Sequence, residues 1–436
     1  MMTKEQLTFR IRFYFFLLLG LLSLPVYAFM NAGLQMFYIL IPAIVAMQVY
    51  LLVRLKRVQL LQLIFLYIFL YFIFLIPYFC AKLQLSEHTE FQQNILFEKV
   101  LFLFYLFYTG ACIASAWNIN PNKKQLKDSL SLNVAINERL LLVALLFFAF
   151  IFLFRQGVNV LESDSPYLAY RENLNNGSTL PLYIILFLFF VPYVFSLSRT
   201  GKLIFNISCS ILAYYCLTRG FRMVLAPLVF CYFFHYFDLR FKFKYLISLF
   251  VIGLIMMGVI NSIKMGQNFK LIYLLTENGD FILSHHADSL YASASAFGLV
   301  ENGKITFLHR ILLSLGFLCE SIIPPTFLPD IIKYPHILGL FTQTGGGGLF
   351  ISGAYLMWGG LGVLITGFLL VYVFRQVYRN ESVVLKIFVC ILFVFAPRWI
   401  SYDFHIILRF TMLGLVEYYF LKYVHFTFHL RSVGLK

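Results

Sequence analysis

Long apolar runs, repeated along the whole chain, are the sequence feature that most constrains the fold. The run LQLIFLYIFLYFIFLIPYFC at 61–80 is one of many that approach 20 residues. A helix needs about 20 apolar residues to cross the hydrocarbon core of a bilayer, and the core helices of a soluble protein do not repeat this pattern. The runs are solidly apolar rather than alternating, which excludes an outer-membrane barrel. The sequence therefore predicts an all-α polytopic membrane protein.

The composition supports this fold class. Of the 436 residues, 61% are hydrophobic and only 12% are charged, whereas a soluble domain carries roughly 25% charged residues. Too few charges are present to solvate a soluble or disordered chain. The seven cysteines form no CxxC or Cys/His cluster, so neither a disulfide framework nor a metal site is expected from them.

The apolar runs divide the chain into about twelve predicted membrane spans. They lie at 11–30, 34–53, 60–80, 95–117, 140–154, 181–197, 203–217, 223–237, 245–260, 349–373, 383–397 and 406–421. Three regions follow: residues 1–260 hold spans one to nine with short loops, residues 261–348 form one large outer loop, and residues 349–436 hold the last three spans and a basic tail.

The basic residues orient these spans. If the N-terminus is cytoplasmic, most Lys and Arg fall on the inner side, as the positive-inside rule requires, and the C-terminus is cytoplasmic as well. The net charge of +15 is then explained by topology, and no nucleic-acid partner is expected. Counting the apolar stretch 305–325 as a further span would place the basic tail outside. We therefore predict an interfacial or re-entrant helix there, on the outer face.

Charge departs from this rule at the turn TRGFR, residues 218–222, which the topology places on the outer side. Arg219 and Arg222 are three residues apart and would share a face if a helix begins there. The guanidinium fork suits phosphate oxygens, so an anion site is one interpretation. The alternative is snorkelling to outer headgroups, or pairing with a carboxylate of the large loop.

A second departure is PRWISYDFHIILRF at 397–410, which crosses the last outer turn. Arg398 follows a proline, and Arg409 lies about one turn inside the last span. An ionisable residue within a span indicates a functional site by default. Asp403 is equally able to pair with either arginine, and the sequence does not decide between these readings.

The large outer loop 261–348 concentrates the polar residues. It contains SHHADS with His285, His286 and Asp288, then His309, and later His336 before a GGGG run. Adjacent histidines rarely bind one ion and no third ligand has a fixed spacing, so we predict no metal. The glycine run is not a P-loop, because no GK[ST] follows it.

A smaller outer loop, 155–180, contains Tyr170, Arg171 and several acidic and amide side chains. Such side chains suit sugar hydroxyls through hydrogen bonds and ring stacking. They are equally typical of any solvated loop.

Taken in order, these features resemble the Wzy-type polymerases of lipid-linked oligosaccharide repeat units, which belong to the O-antigen polymerase and ligase superfamily. Four elements carry the resemblance: the turn TRGFRMVLAPLVF, the proline-rich SIIPPTFLPDIIKYP in the long outer loop, the glycine stretch leading into GAYLMWGGLGVLITG, and the arginine pair Arg398 and Arg409. The related ligases place Asn, Ser or Gln after a late histidine, whereas Ile337 follows His336 here.

The resemblance implies a glycosyltransferase of the bacterial inner (plasma) membrane that makes O-antigen, lipopolysaccharide-linked or capsule polysaccharide. Undecaprenyl diphosphate would be the leaving group, bound by Arg219, Arg222, Arg398 and Arg409, with Arg171 and Tyr170 near the sugars. The base that accepts the hydroxyl proton would be His336, His309 or Asp288. No cofactor is implied. The implied partners are the undecaprenyl diphosphate-linked oligosaccharide and the bilayer, together with a chain-length regulator and a flippase.

Two other classes stay open besides the ligase. A lipid-linked oligosaccharide flippase or other transporter would also bind lipid diphosphate, but it would need polar residues near the middle of the membrane, and the predicted spans are apolar at their centres. A membrane acyltransferase would need a histidine reached by a cytoplasmic acyl donor, and the inner-side histidines, His425 and His429, lie only in the basic tail.

Overall fold

The structure is a computed structural model of the whole chain. It describes residues 11–16, 18–19, 35–55, 58–79, 94–116, 146–147, 150–151, 158–160, 162–163, 165, 168–169, 172–173, 180–194, 197–219, 221–236, 280–319, 322–323, 327–329, 332, 348–377, 382–401 and 406–432. Across these ranges the chain forms helices joined by turns and short connections, and contains no strand. The all-α prediction is confirmed to that extent.

The helices are named α1 to α12 in chain order. They are α1 Gln35–Arg54, α2 Gln59–Phe79, α3 Asn94–Ala116, α4 Leu180–Val194, α5 Arg199–Thr218, α6 Arg222–Tyr236, α7 Asp280–Glu301, α8 Phe307–Cys319, α9 Phe350–Val377, α10 Val383–Val394, α11 Ala396–Ser401 and α12 Ile406–Ser432. Within the described residues, three are long and apolar enough to cross a membrane: α3 over Lys99–Ala116, α5 and α9. This fits a helical membrane protein.

Helices coincide with most of the predicted spans, but the last helix runs on to Ser432, beyond the predicted end at 421. A further difference lies at the predicted last outer turn. The span predicted over 383–397 ends as a helix at Val394, and the short helix α11 follows. Pro397 explains the break, because a proline lacks the N–H that would continue α10 but is well tolerated in the first turn of a new helix. The predicted spans at 11–30, 140–154 and 245–260 lie mostly or wholly outside the described residues.

By its contacts the chain divides into two compact units. The first unit comprises Met1–Leu126, Leu283–Val389 and Trp399–Arg409, and the second comprises Lys127–Ile282, Cys390–Arg398 and Phe410–Lys436. The three regions predicted from the membrane layout are a different kind of division and stay a prediction.

The first unit is built on close contact between α3 and α9. A Cβ atom added to Gly110 would lie 1.9 Å from the carbonyl oxygen of Leu364, and one added to Gly367 would lie 2.0 Å from that of Phe107. Small residues at such positions let helix backbones touch, which is how helices associate where lipid replaces water. The two glycines therefore set the distance between α3 and α9.

Two arginines join the ends of three helices in this unit. Arg375 of α9 is buried, and its Nη1 donates to the carbonyl of Ala114 at 2.7 Å. Arg54, the last residue of α1, donates through Nε to the carbonyl of Ser115 at 3.3 Å. Both cations thus stabilise the negative end of the α3 dipole. The C-termini of α1, α3 and α9 consequently lie together, and the predicted membrane layout gives these segments the same direction.

Helix α9 bends sharply at Gly359, whose φ of 67° and ψ of −161° are not helical. Phe350 and Gly367 would be roughly 25 Å apart in a straight helix. Both nevertheless contact Phe107: the Phe350 ring centroid is 4.9 Å from its ring, and Gly367 lies against its carbonyl. The two halves of α9 therefore pack on the same turn of α3.

The predicted large outer loop contains more helix than expected. Within the stretch 305–325 the structure forms the helix α8, whereas an interfacial or re-entrant position on the outer face stays a prediction. Helix α7 before it was not predicted, and the described residues between Ser289 and Leu299 are buried. The segment reads as polar because it alternates serine and alanine in ASASA. Small residues of this kind allow close helix packing, but a hydropathy scale does not measure how closely a residue packs.

The second unit contains α4, α5 and α6, which pack on one another. Its core is aromatic: the Phe189 ring centroid lies 5.3 Å from that of Tyr193 and 5.0 Å from that of Phe234. His235 joins this cluster, with Nε2 3.1 Å from the carbonyl oxygen of Phe189. Ser198 caps α5 by accepting a hydrogen bond from the backbone N–H of Gly201 at 3.1 Å.

Candidate functional site

The arginine turn lies between α5 and α6. Arg219 caps the C-terminus of α5, and α6 begins at Arg222. The two arginines therefore flank a turn and do not share the face of one helix, which corrects that part of the prediction. The side chain of Arg222 lies outside what the structure describes.

The Arg219 side chain is held where α5 ends. Its guanidinium carbon lies 5.8 Å from the centroid of the Tyr215 ring, a cation–π arrangement, and its Nε is buried. The hydroxyl of Thr218 donates to the carbonyl oxygens of Tyr214 and Tyr215, each at 3.1 Å. Because α5 is one of the helices able to cross a membrane, a half-buried cation stands at the end of an apolar helix.

The smaller predicted outer loop meets this turn. The backbone N–H of Val160 donates to the carbonyl of Thr218 at 2.8 Å. Asn173 is buried and bridges the loop: its Oδ1 accepts from the N–H of Val158 at 3.1 Å, and its Nδ2 donates to the Val158 carbonyl at 2.8 Å. The structure thus brings together two regions that the sequence singled out separately, the loop 155–180 and the arginine turn.

Asn173 was not predicted to matter, because a lone asparagine in a polar loop carries no distinguishing signal. Tyr170 and Arg171, the predicted sugar-contacting residues of this loop, lie outside the described residues. Their neighbours on both sides, Ala169 and Glu172, are described, and Ala169 is buried. The end of α5 therefore combines the Arg219 cation with a polar loop that is hydrogen-bonded to the same turn.

The remaining two predicted arginines fall in different units. Arg398 lies in the first half of α11, which belongs to the second unit. Its backbone N–H donates to the carbonyl of Phe395 at 2.9 Å, and its Nε is buried. Arg409 lies in the first turn of α12 and belongs to the first unit by contact. Both side chains are half-buried. That these four arginines bind the diphosphate stays a prediction.

A buried network of serines connects three segments of the first unit. The Ser293 hydroxyl of α7 donates to the carbonyl of Ser289 at 2.7 Å, lies 3.2 Å from the Ser352 hydroxyl of α9, and accepts from the N–H of Leu349 at 3.0 Å. The Ser289 hydroxyl donates to the carbonyl of Ser401 at 3.2 Å. The network joins α7 to the chain that follows the glycine run and to the end of α11. Sequence reasoning missed these residues, since serines carry no charge.

The structure describes the three predicted bases to different extents. His309 is described, and its Nδ1 accepts from the backbone N–H of Thr306 at 3.2 Å and lies 2.9 Å from the Thr306 hydroxyl. This pairing caps the start of α8 as a glutamate would in a capping box, which occupies one ring nitrogen. Asp288 is in α7, but its side chain lies outside what is described, and His336 lies outside the described residues.

Arg310 is a further cation that the sequence did not select as a site residue. Its guanidinium carbon lies 5.6 Å from the centroid of the Tyr355 ring, and that ring stacks on Phe297 at 4.2 Å. A Cβ atom on Gly359 would lie 3.2 Å from Arg310 Nη1. The arginine therefore fills the space that the bend in α9 leaves open.

Among the described residues no group of three His, Cys, Asp or Glu could hold a metal ion. The side chains of His285, His286 and Asp288 are not among them, so the prediction of no metal stays a prediction.

Comparison with known proteins adds no relative: no family model matches the chain, and no curated protein or solved structure is significantly similar to it.

Proposed function

We propose that this protein polymerises lipid-linked oligosaccharide repeat units at the outer face of a bacterial inner membrane. One observation carries the proposal: the polar loop 158–173 is hydrogen-bonded to the end of α5, where Arg219 stands. A polymerase needs a cation for the lipid diphosphate and polar groups for the attached sugars, at the membrane surface and close to each other. The order of motifs along the chain supports the same activity.

In the proposed reaction, a hydroxyl of the incoming repeat unit attacks the anomeric carbon of the growing chain. The new glycosidic C–O bond forms as the bond from the anomeric carbon to the diphosphate oxygen breaks. Undecaprenyl diphosphate leaves with the negative charge, and the hydroxyl proton passes to a base. Arg219 stabilises the developing charge, and an arginine fixed in a low-dielectric site does this better than one in water. No metal or nucleotide is required.

The base is not assigned among His309, His336 and Asp288. His309 could use only Nε2, because Nδ1 caps α8. The diphosphate is a good leaving group, so its departure depends on charge stabilisation more than on a strong acid or base.

The experiment is a gel of surface polysaccharide from cells in which this gene is deleted. Loss of polymerisation predicts a ladder that collapses to core carrying a single repeat unit. A full-length ladder in the deletion strain contradicts the proposal.

A second candidate, a lipid-linked oligosaccharide transporter, is favoured by one observation in the first unit. Phe350 packs on Phe107, well inside the apolar segment Lys99–Ala116, and the hydroxyls of Ser293 and Ser352 are buried next to it. A broken helix with polar groups at membrane depth is typical of transporter binding sites. In that case the deletion strain would accumulate unpolymerised lipid-linked units on the inner side, with none at the surface.

A further inference from the structure

The outward face of α8 consists entirely of large apolar side chains. The exposed fractions are 79% for Phe307, 63% for Leu308, 41% for Ile311, 49% for Leu315 and 57% for Leu318. These positions follow helical spacing and form one stripe. A face this apolar is not stable against water, so something apolar covers it.

The opposite face of α8 is packed against other parts of the protein. Leu313 and Phe317 pack in a buried cluster with Leu356 and Met357 of α9. Gly316 lies so close to the backbone of Ile332 that a Cβ atom there would be 2.0 Å from its carbonyl oxygen. The helix is therefore held against α9 and cannot turn its apolar stripe inward.

Two neighbours indicate the depth at which α8 lies. Glu301, at the end of α7, forms a salt bridge with Lys99, where the apolar segment of α3 begins. The turn that follows, at Asn302 and Gly303, is exposed. Beside the α8 contact, α9 presents Trp358 and Leu361, which are also exposed. Helix α8 and the part of α9 that it packs on therefore both expose large apolar side chains, and α8 follows directly after the exposed polar turn.

We propose that α8 lies in the outer leaflet of the bilayer, with this stripe against the lipid acyl chains. Its 13 residues span about 20 Å, which is too short to cross a hydrocarbon core of about 30 Å. The stripe contains no charged side chain. Contact with acyl chains requires this, whereas contact with a polar protein partner would not. With both faces covered, α8 anchors the outer segment to the membrane. This inference does not depend on the catalytic activity.

The test places a nitroxide on a cysteine substituted for Leu315, in full-length protein reconstituted into vesicles of phosphatidylethanolamine and phosphatidylglycerol. Cys319, which is only half-buried, is replaced by serine in every variant. Leu361→Cys serves as the lipid-facing control, and Asn302→Cys as the water-facing control. The readout compares two collision rates of the nitroxide label. One is with oxygen, which concentrates in lipid, and the other is with a water-soluble nickel chelate.

The proposal predicts that the label at Leu315 behaves like the label at Leu361, with high oxygen and low nickel accessibility, and unlike the label at Asn302. High nickel accessibility at Leu315 would overturn it. Low accessibility to both reagents, together with dipolar broadening between labels, would also overturn it and would assign the stripe to a second copy of this chain. Leu308→Cys, on the same stripe, repeats the measurement should the label at Leu315 disturb packing.

Discussion

The backbone N–H of Val160 donates a hydrogen bond to the carbonyl of Thr218 at 2.8 Å, one residue before Arg219. This bond attaches a loop far away in sequence to the end of a helix that is able to cross a membrane. The proposed function depends on that attachment, because it holds the polar loop at the helix end that Arg219 caps.

Asn173 is expected to keep this loop in place. Replacing it by Ala removes two partly buried hydrogen bonds to Val158, and an intramolecular hydrogen bond contributes about 1 kcal/mol. We expect limited proteolysis to cut the loop in Asn173→Ala at protease concentrations that leave the wild type intact. Glu172→Ala, whose side chain is exposed, is the matched control and should be cut no faster than the wild type. Equal cleavage of both variants would mean that Asn173 does not hold the loop.

Ser293 is expected to contribute to the stability of the first unit. Ser293→Ala leaves the N–H of Leu349 without its bond, and an unsatisfied buried donor costs about 1–2 kcal/mol. Thermal unfolding in detergent should show a lower Tm. The neighbouring Ser295 is buried, and its hydroxyl has no hydrogen-bond partner among the described residues, so Ser295→Ala should leave the Tm unchanged or raise it slightly. Identical losses would refute the role of the network.

The contact between α3 and α9 predicts a steric effect at Gly110. In Gly110→Ala the methyl group would meet a backbone carbonyl at 1.9 Å, so the helices must separate, and such overpacking costs about 1–3 kcal/mol. Gly303→Asn is the control, because its surroundings are open and Asn tolerates its positive φ of 66°. We expect Gly110→Ala to lower the yield of folded protein on size exclusion and Gly303→Asn to leave it normal. A normal yield for both would contradict the packing.

The positions of the helices were largely predictable from the sequence, because a run of apolar residues bounded by charge or proline leaves few alternatives. The predicted spans at 34–53 and 95–117 match α1 and α3 to within one residue. Helix α7 was missed, since its serines and alanines have low hydropathy but pack closely. The burial of α7 is decided by the helices that pack on it, and those helices lie elsewhere in the sequence.

The candidate site was predictable only in its charged members. Arg219 stands out because, in the predicted membrane layout, its charge opposes the positive-inside rule. Asn173 does not, since its importance comes from a contact with Val158 and from that segment reaching Thr218. For His309 the residue type suggested a base, and it did not indicate that Nδ1 caps a helix; the role of Nε2 as a base stays a prediction. A residue type indicates possible chemistry, and only the neighbours select among the possibilities.

The central claim is that Arg219 acts on the leaving diphosphate. Its most direct test is a surface polysaccharide gel from the deletion strain complemented with wild type, Arg219→Ala or Arg199→Ala, each present at equal levels in the membrane. Arg199 lies at the other end of α5 and is exposed. It is therefore a control with the same charge on the same helix, but away from the proposed site. We predict a full ladder from wild type and Arg199→Ala, and core with a single repeat unit from Arg219→Ala. A wild-type ladder from Arg219→Ala would contradict the account.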